Sequence, residues 1–269
     1  MTLSVPNEPN TNATRDAEAI LEIKNLKKRF GELEVLKGIS LRVKKGEVIS
    51  IIGPSGSGKS TFLRCINFLE GPTSGDVIFK GRSIEYRSNS FWGKLKVINE
   101  ITRMRSEIGM VFQSFNLWPH KTVIENVIES PIHVKGIPKQ TAIDEAEQLL
   151  QQFGLAEKRD DYPSRLSGGQ QQRVAITRAL AMSPQVMLFD EVTSALDPEL
   201  VGEVLEAMAL LAQGGMTMLV VTHEVKFARD CSHRTLFIDE GIVEEEGPSE
   251  QVLTNPAKER TRTFLRRVI

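Results

Sequence analysis

The sequence predicts an α/β fold built on a largely parallel sheet, with a small antiparallel sheet at its side and a helical segment inserted in it. Two patterns carry that expectation. Short apolar, β-branched runs bounded by Gly or Pro recur between stretches of helical spacing, the alternation that builds parallel sheets. These runs also end in glycine loops or polar pairs, which puts chemistry at the carboxyl edge of the sheet, where open α/β folds bind ligands.

In chain order, residues 1–17 are polar, contain Pro6 and Pro9, and lack the apolar stretch of a signal peptide. A disordered leader is expected there, with the folded domain over 18–269. Ile20–Ile23 and Ile39–Val43 alternate strictly, as strands of a half-exposed antiparallel sheet do. Val48–Ile52 reads as a buried strand running into a glycine-rich loop. Phe62, Leu63, Ile66 and Leu69 then take helical spacing, and Gly71 is placed to end that helix. Residues 82–107 form an insertion with Arg82, Arg87, Lys94, Lys96, Arg103 and Arg105 against three Glu. A solvated loop and helix or a docking surface would both account for it. Residues 115–170 read as a helical subdomain. Within it Thr141–Asp144 resembles a capping box, and Ala142, Ala146, Leu149, Leu150 and Phe153 share a face before Gly154. Val186–Phe189 and Met218–Val221 are further buried strands, ending in Asp190-Glu191 and Thr222-His223.

Bulk composition narrows the function. At 269 residues the chain can bury a sizeable core as one large domain. Its 34 Lys+Arg nearly cancel 35 Asp+Glu, which argues against coating nucleic acid through bulk charge. Cys65 and Cys231 make neither a metal pair nor a disulfide framework, so a reducing cytosol is the default setting. No apolar run approaches the roughly eighteen residues of a membrane span, so a membrane role must come through a partner.

Three motifs carry chemistry. Gly53-Pro54-Ser55-Gly56-Ser57-Gly58-Lys59-Ser60 fits the nucleotide-binding loop G-x-x-x-x-G-K-[ST], and Thr61 follows it. Glycines let consecutive backbone N–H groups turn inward around phosphate oxygens, and the helix that follows adds its positive end. Lys59 is then the point charge for the β- and γ-phosphates of a nucleoside triphosphate, and the Ser60 hydroxyl a ligand for Mg²⁺. Asp190, after an apolar strand, is the expected acidic partner of Mg²⁺, and Glu191 the expected general base toward an attacking water. The third motif is Ser167-Gly168-Gly169-Gln170. Ser167 suits a helix cap, and the same glycine-rich helix start suits a second anion site. One chain cannot easily wrap both loops around one γ-phosphate, so the second reading implies a head-to-tail dimer.

With these motifs in this order, the chain after its leader resembles the ATP-binding subunits of ATP-binding-cassette (ABC) transporters. The resemblance implies a P-loop NTPase (RecA-like) core with a small antiparallel β subdomain and an inserted α-helical subdomain. It implies that Phe30, in Lys28-Arg29-Phe30-Gly31, stacks on adenine. Gln113, in Val111-Phe112-Gln113-Ser114, would meet Mg²⁺ and sense the γ-phosphate. Ser167, Gly168 and Gln170 would contact ATP held by the opposite subunit, and Ser194-Ala195-Leu196-Asp197 would cross the dimer interface. His223 would contact the γ-phosphate and position the attacking water. The chain departs from the family where Val192 stands in place of a common proline and Phe30 in place of a frequent tyrosine. Neither removes a needed group, since stacking asks only for the ring.

Within the family the likeness points to polar amino-acid importers of the histidine and basic amino-acid group. It rests on Phe115–His120, the 82–107 insertion, Pro131–Val134, Asn255-Pro256 and Glu259–Arg262. The implied partners are a second copy or a homologous ATPase subunit, integral membrane permease subunits and, indirectly, a solute-binding protein, with no nucleic acid. The implied place is the cytoplasmic face of the inner membrane. Soluble switches of the same superfamily carry coiled coils, zinc modules or two cassettes, which are not found here. An ordinary P-loop kinase or GTPase is disfavoured by the Ser167–Gln170 segment and the lack of an Asn-Lys-x-Asp guanine-reading motif.

Overall fold

The computed structural model describes residues 19–84, 86 and 91–268, so the 1–17 leader and positions 85 and 87–90 of the 82–107 insertion lie outside the described residues. A hairpin comes first. Strands β1 (Ala19–Phe30) and β2 (Leu33–Lys44) pair antiparallel, with Phe30 opposite Leu33 across the turn. Strand β3 (Val48–Ile52) leads through the glycine loop into helix α1 (Lys59–Ile66). Strands β4 (Ser74–Phe79) and β5 (Arg82–Ser83) then complete a four-stranded sheet in the order β2-β1-β4-β5.

After helix α2 (Phe91–Arg105), strand β6 (Ile108–Phe112) enters the main sheet. Helices α3 (Val123–Lys135), α4 (Lys139–Gln152) and α5 (Gly168–Leu180), with two one-turn 3₁₀ helices, separate it from β7 (Val186–Asp190). Helix α6 (Pro198–Gln213) leads to β8 (Thr217–Val221), and α7 (Val225–Cys231) to β9 (Arg234–Asp239). Strand β10 (Ile242–Pro248) and helices α8 (Ser249–Thr254) and α9 (Glu259–Val268) follow. The main sheet has six strands in the order β10-β9-β3-β8-β7-β6; all its pairings are parallel except β10 with β9.

Period-two alternation along the buried strands divides the core into two layers. Met187, Phe189, Met218 and Val220 face the layer shared with α3 to α6. Leu188, Leu219, Val221, Ile49 and Ile51 face the other, where α1 and the antiparallel sheet pack. The core strands are therefore continuous apolar runs, because both of their faces are covered.

Two helix ends differ from the sequence expectation. α1 stops at Ile66, with Asn67 as its C-cap, rather than running to Gly71. Leu69 is 45% exposed, so the apolar periodicity ends a turn sooner than the spacing suggests. Thr141 lies inside α4, which starts at Lys139 behind Pro138 and has no side-chain cap. Proline's fixed φ, compatible with a helix entry, sets that start instead. Reciprocal capping boxes occur at Thr122 with Glu125 and at Ser167 with Gln170.

Candidate functional site

The ends of β3, β8 and β7 lie side by side, and main-chain bonds lock them together. Thr222 N donates to Ile51 O at 3.3 Å, and Glu191 N to Val221 O at 3.0 Å. Gly53, His223 and Glu191 therefore leave adjacent strands at one edge of the sheet. Glu191 turns out of β7 with φ of 50°, a conformation that a non-glycine residue adopts at some cost and that recurs at functional sites. Gly53 has φ of 149°, and a Cβ there would come within 2.0 Å of the Ile238 carbonyl oxygen. Only glycine fits where the loop leaves the sheet.

The loop opens onto a cavity of about 410 Å³ lined by Val35, Ser55, Gly56, Lys59, Ser60 and Glu191, among others. Gly58 and Thr61 also line it. Lys59 is buried, and its ammonium donates to Gly53 O and Pro54 O, each at 2.9 Å, with Glu191 Oε1 at 3.7 Å. Burial pushes the Lys59 ammonium down from its usual range, against the pull of Glu191 and Asp190. Glu191 Oε1 also lies 3.2 Å from His223 Nε2. That hydrogen bond, with the nearby Lys59 charge, holds the Glu191 carboxyl below the usual carboxylate range despite partial burial. The cavity thus joins a cation and an ionised carboxylate, and the carboxylate carries an imidazole on its hydrogen bond.

Asp190 is buried at the end of β7. Its Oδ2 accepts from Arg64 Nη2 of α1 at 3.3 Å, while Oδ1 is buried without a hydrogen-bond partner. A buried, unsatisfied acceptor is costly unless a ligand or water meets it. Strand β6 ends at Phe112, opposite Asp190, so Gln113 leaves the sheet next to that carboxylate and is exposed. The Ser60 hydroxyl, Asp190 carboxylate and Gln113 amide oxygen are hard oxygen donors of the kind that suit Mg²⁺. Among the described residues no cluster of three His, Cys, Asp or Glu exists that would hold a metal on protein ligands alone. A site of this type relies on phosphate oxygens to complete the shell.

Ser167, Gly168, Gly169 and Gln170 do not line this cavity. They start α5, where Gln170 N donates to Ser167 Oγ at 3.2 Å and Ser167 N to Gln170 Oε1 at 3.0 Å. The cap expected of Ser167 is present, yet the serine itself is exposed. Gly169 is buried against Leu200 and Glu203 of α6, each 3.3 Å from where its Cβ would stand. Asp197 is exposed as the N-cap of α6 and makes no side-chain cap. Phe30, at the end of β1, is 45% exposed.

Three neighbours of the site lay beyond motif reading: Arg64 on Asp190, Val35 in the cavity wall, and Gln172, whose Nε2 donates to Phe112 O at 3.0 Å. Arg64 sits one helical turn past Ser60 on α1, and that spacing was its only sequence signal.

A family model described as ABC transporter matches residues 36–194. The chain belongs to the ABC transporter family. Two curated ABC relatives illustrate how far the likeness extends. The arginine/ornithine transport ATP-binding protein of Pseudomonas aeruginosa is 56% identical over 247 residues, 91% of this chain and 97% of that protein. The histidine/lysine/arginine/ornithine transport ATP-binding protein of Escherichia coli K12 is 54% identical, covering 93% of this chain and 98% of that one. Among solved structures, the dimeric, post-hydrolysis ATP-binding cassette MJ0796 bound to ADP and Pi superposes with a TM-score of 0.73 at 36% identity, covering 85% of this chain and 98% of its own. The ABC chain cbiO1 from Clostridium perfringens gives 0.75 at 29% identity, over 93% and 97%. The fold is thus that of a P-loop NTPase, and the chain is an ATP-binding ABC ATPase.

Proposed function

We propose that this ABC ATPase powers the uptake of basic amino acids through a separate membrane permease, docked at the cytoplasmic face of the inner membrane. It works as a head-to-tail dimer holding two Mg·ATP between protomers. The observation that carries the chemistry is the pairing of Lys59 with Glu191 in the phosphate-loop cavity, with His223 hydrogen-bonded to that carboxylate. The substrate class is supported by relatives named for octopine, arginine, ornithine and histidine transport.

In this reading the Gly53–Ser60 N–H groups and Lys59 grip the β- and γ-phosphates, and Phe30 stacks on the adenine. Thr61 lines the same cavity and would contact the nucleotide there. Ser60, Asp190 and Gln113 would hold Mg²⁺, which supplies charge neutralisation at the transferring phosphoryl group. Glu191, kept ionised, accepts the proton of the attacking water, and His223 fixes the carboxylate and meets the γ-phosphate. Ser167, Gly168, Gly169 and Gln170 serve the ATP of the opposite protomer, and Asp197 crosses the interface. ATP binding closes the dimer and hydrolysis releases it, because the opposite protomer's contacts to the γ-phosphate exist only in the closed state.

The permease would seat in the groove of about 380 Å³ between the end of β6 and α5, lined by Leu69, Asn116, Trp118, Arg178 and Met182, among others. Arg178 packs 5.1 Å from the Trp118 ring and donates to Asn116 O at 2.8 Å, which braces the wall of that groove. Movement there reaches Gln113 directly through the chain.

The test is ATPase activity of the chain reconstituted with its permease and solute-binding protein in vesicles. Arginine or histidine should stimulate phosphate release and accumulate inside, whereas leucine should do neither. Stimulation by leucine alone would overturn the substrate class and leave the ATPase assignment intact.

A further inference from the structure

Phe30 stands at the tip of a hairpin, an exposed place for a ring that must meet a base in one orientation. Two residues back on the same strand face, Lys28 is buried, and its ammonium lies 4.4 Å from the Phe30 ring centroid, within cation–π range. The ammonium is held from below as well. It donates to Gly71 O at 2.8 Å and pairs with Glu70 Oε2 at 3.1 Å. Main-chain bonds run alongside: Thr73 N donates to Lys27 O at 2.7 Å, and Arg29 N to Thr73 Oγ1 at 2.9 Å. Residues 70–73 follow α1, the helix that carries Lys59. The segment leaving the phosphate-loop helix therefore reaches back and pins the strand end that carries the ring.

Burying an ammonium is costly, and the partly exposed Glu70 pair returns little of that cost. The Gly71 carbonyl and the Phe30 ring are the contacts that use the charge in a sheltered place. We propose that Lys28 is a positioning residue for nucleotide binding, covering one face of Phe30 and fixing the ring so that its other face takes the adenine. The inference rests on the reading of Phe30 as the adenine platform. Lys28 touches no phosphate in this account, so its influence should extend to the base and stop there.

That limit supplies the test. Binding of Mg·ADP and of Mg·pyrophosphate, which has the phosphates without the base, is measured by calorimetry on the full chain. Lys28→Met should weaken ADP binding by about three- to tenfold, the range a partly desolvated cation–π contact supports, and leave pyrophosphate binding unchanged. Lys28→Arg, which keeps a cation over the ring, should bind ADP like the parent chain. Equal loss for both ligands would mean that Lys28 only supports the fold, and ADP binding unchanged in Lys28→Met would also sink the proposal. Phe30→Ala separates the two layers of the argument. If it weakens ADP while Lys28→Met does not, the platform stands and the Lys28 role falls. If it leaves ADP binding intact, the platform reading itself fails.

Discussion

Glu191 gains its meaning from what competes for it. In this structure its carboxylate answers both the Lys59 ammonium at 3.7 Å and the His223 ring at 3.2 Å. Under the proposed function a γ-phosphate would offer Lys59 a stronger partner and free Glu191 for water, while His223 kept its orientation. Glu191→Gln keeps the shape and removes the basicity, so it should retain ATP and lose about two to four decades of single-turnover phosphate release. Near-normal turnover would remove Glu191 from its assigned role. The sign of the pH dependence follows from the same contacts. Because its carboxyl is held below the ordinary value near 4.3, the base is ionised throughout the neutral range. In the free site, loss of kcat/KM through Glu191 therefore belongs to the acid side, below about pH 4.3. Cys65, one position beyond Arg64, is inert by contrast: burial pushes its thiol up to about 12. The residues at Gly53–Ser60, Asp190 and Glu191 were legible in the sequence because each motif is contiguous and its chemistry follows from residue type. Arg64 was not, because the fold brings Asp190 to it, nor was Lys28, whose burial against Glu70 and Gly71 arises only in the fold.

At the scale of elements, the strands declared themselves best, since a run buried on both faces leaves a continuous apolar signature. Helix ends declared themselves less well. Thr141-Ala142-Ile143-Asp144 has the letters of a cap but lies behind a proline that starts the helix first, whereas Ser167 forms the cap its sequence suggests and Thr122 forms an unexpected one. The least legible element is the C-terminal one. Glu245 of β10 is buried and accepts from Ala257 N at 2.7 Å and Lys258 N at 3.1 Å, at the approach to α9. Helix α9 then packs Leu265 into the core and Phe264 against Phe237, ring centroids 5.2 Å apart. Burial pushes the Glu245 carboxyl up, but Thr261 and the two backbone N–H groups outweigh it, so its pKa lies below the usual range. A depressed carboxylate contributes stability that is complete above its unfolded value and lost as pH falls through the folded one. Glu245→Ala should therefore cost about 1–3 kcal/mol at neutral pH, the penalty for stranding buried donors. In denaturant titrations the gap between parent and variant should narrow as pH drops below about 4. A gap that is constant with pH would assign the loss to packing rather than to the carboxylate.

At the scale of the whole molecule, the two glycine-rich segments found in the sequence are both well formed and separate. Ser55, Gly56, Gly58, Lys59 and Ser60 line a cavity with Glu191, and Ser167–Gln170 start α5 elsewhere, with an exposed serine and a buried Gly169 packed on α6. The capping box explains why the fold tolerates Ser167 and Gln170, and the α6 contact explains Gly169. Neither explains why a serine should stand exposed beside Gly168. A head-to-tail dimer does, and it makes a prediction that no monomeric site shares. Lys59→Met disables a protomer's own phosphate grip, and Ser167→Arg disables what it lends to the other. Each variant alone should be inactive, because every site in its dimers contains one damaged half. Mixed in equal amounts, half of the dimers pair the two variants, and each such dimer assembles one site from an intact loop and an intact Ser167 segment. Phosphate release in the mixture should then recover to about a quarter of the parent rate when the two sites act independently, and to less when they act together. A site built within one chain would stay silent at every mixing ratio, so a flat, inactive series would refute the shared site, while a maximum near equal proportions would establish it.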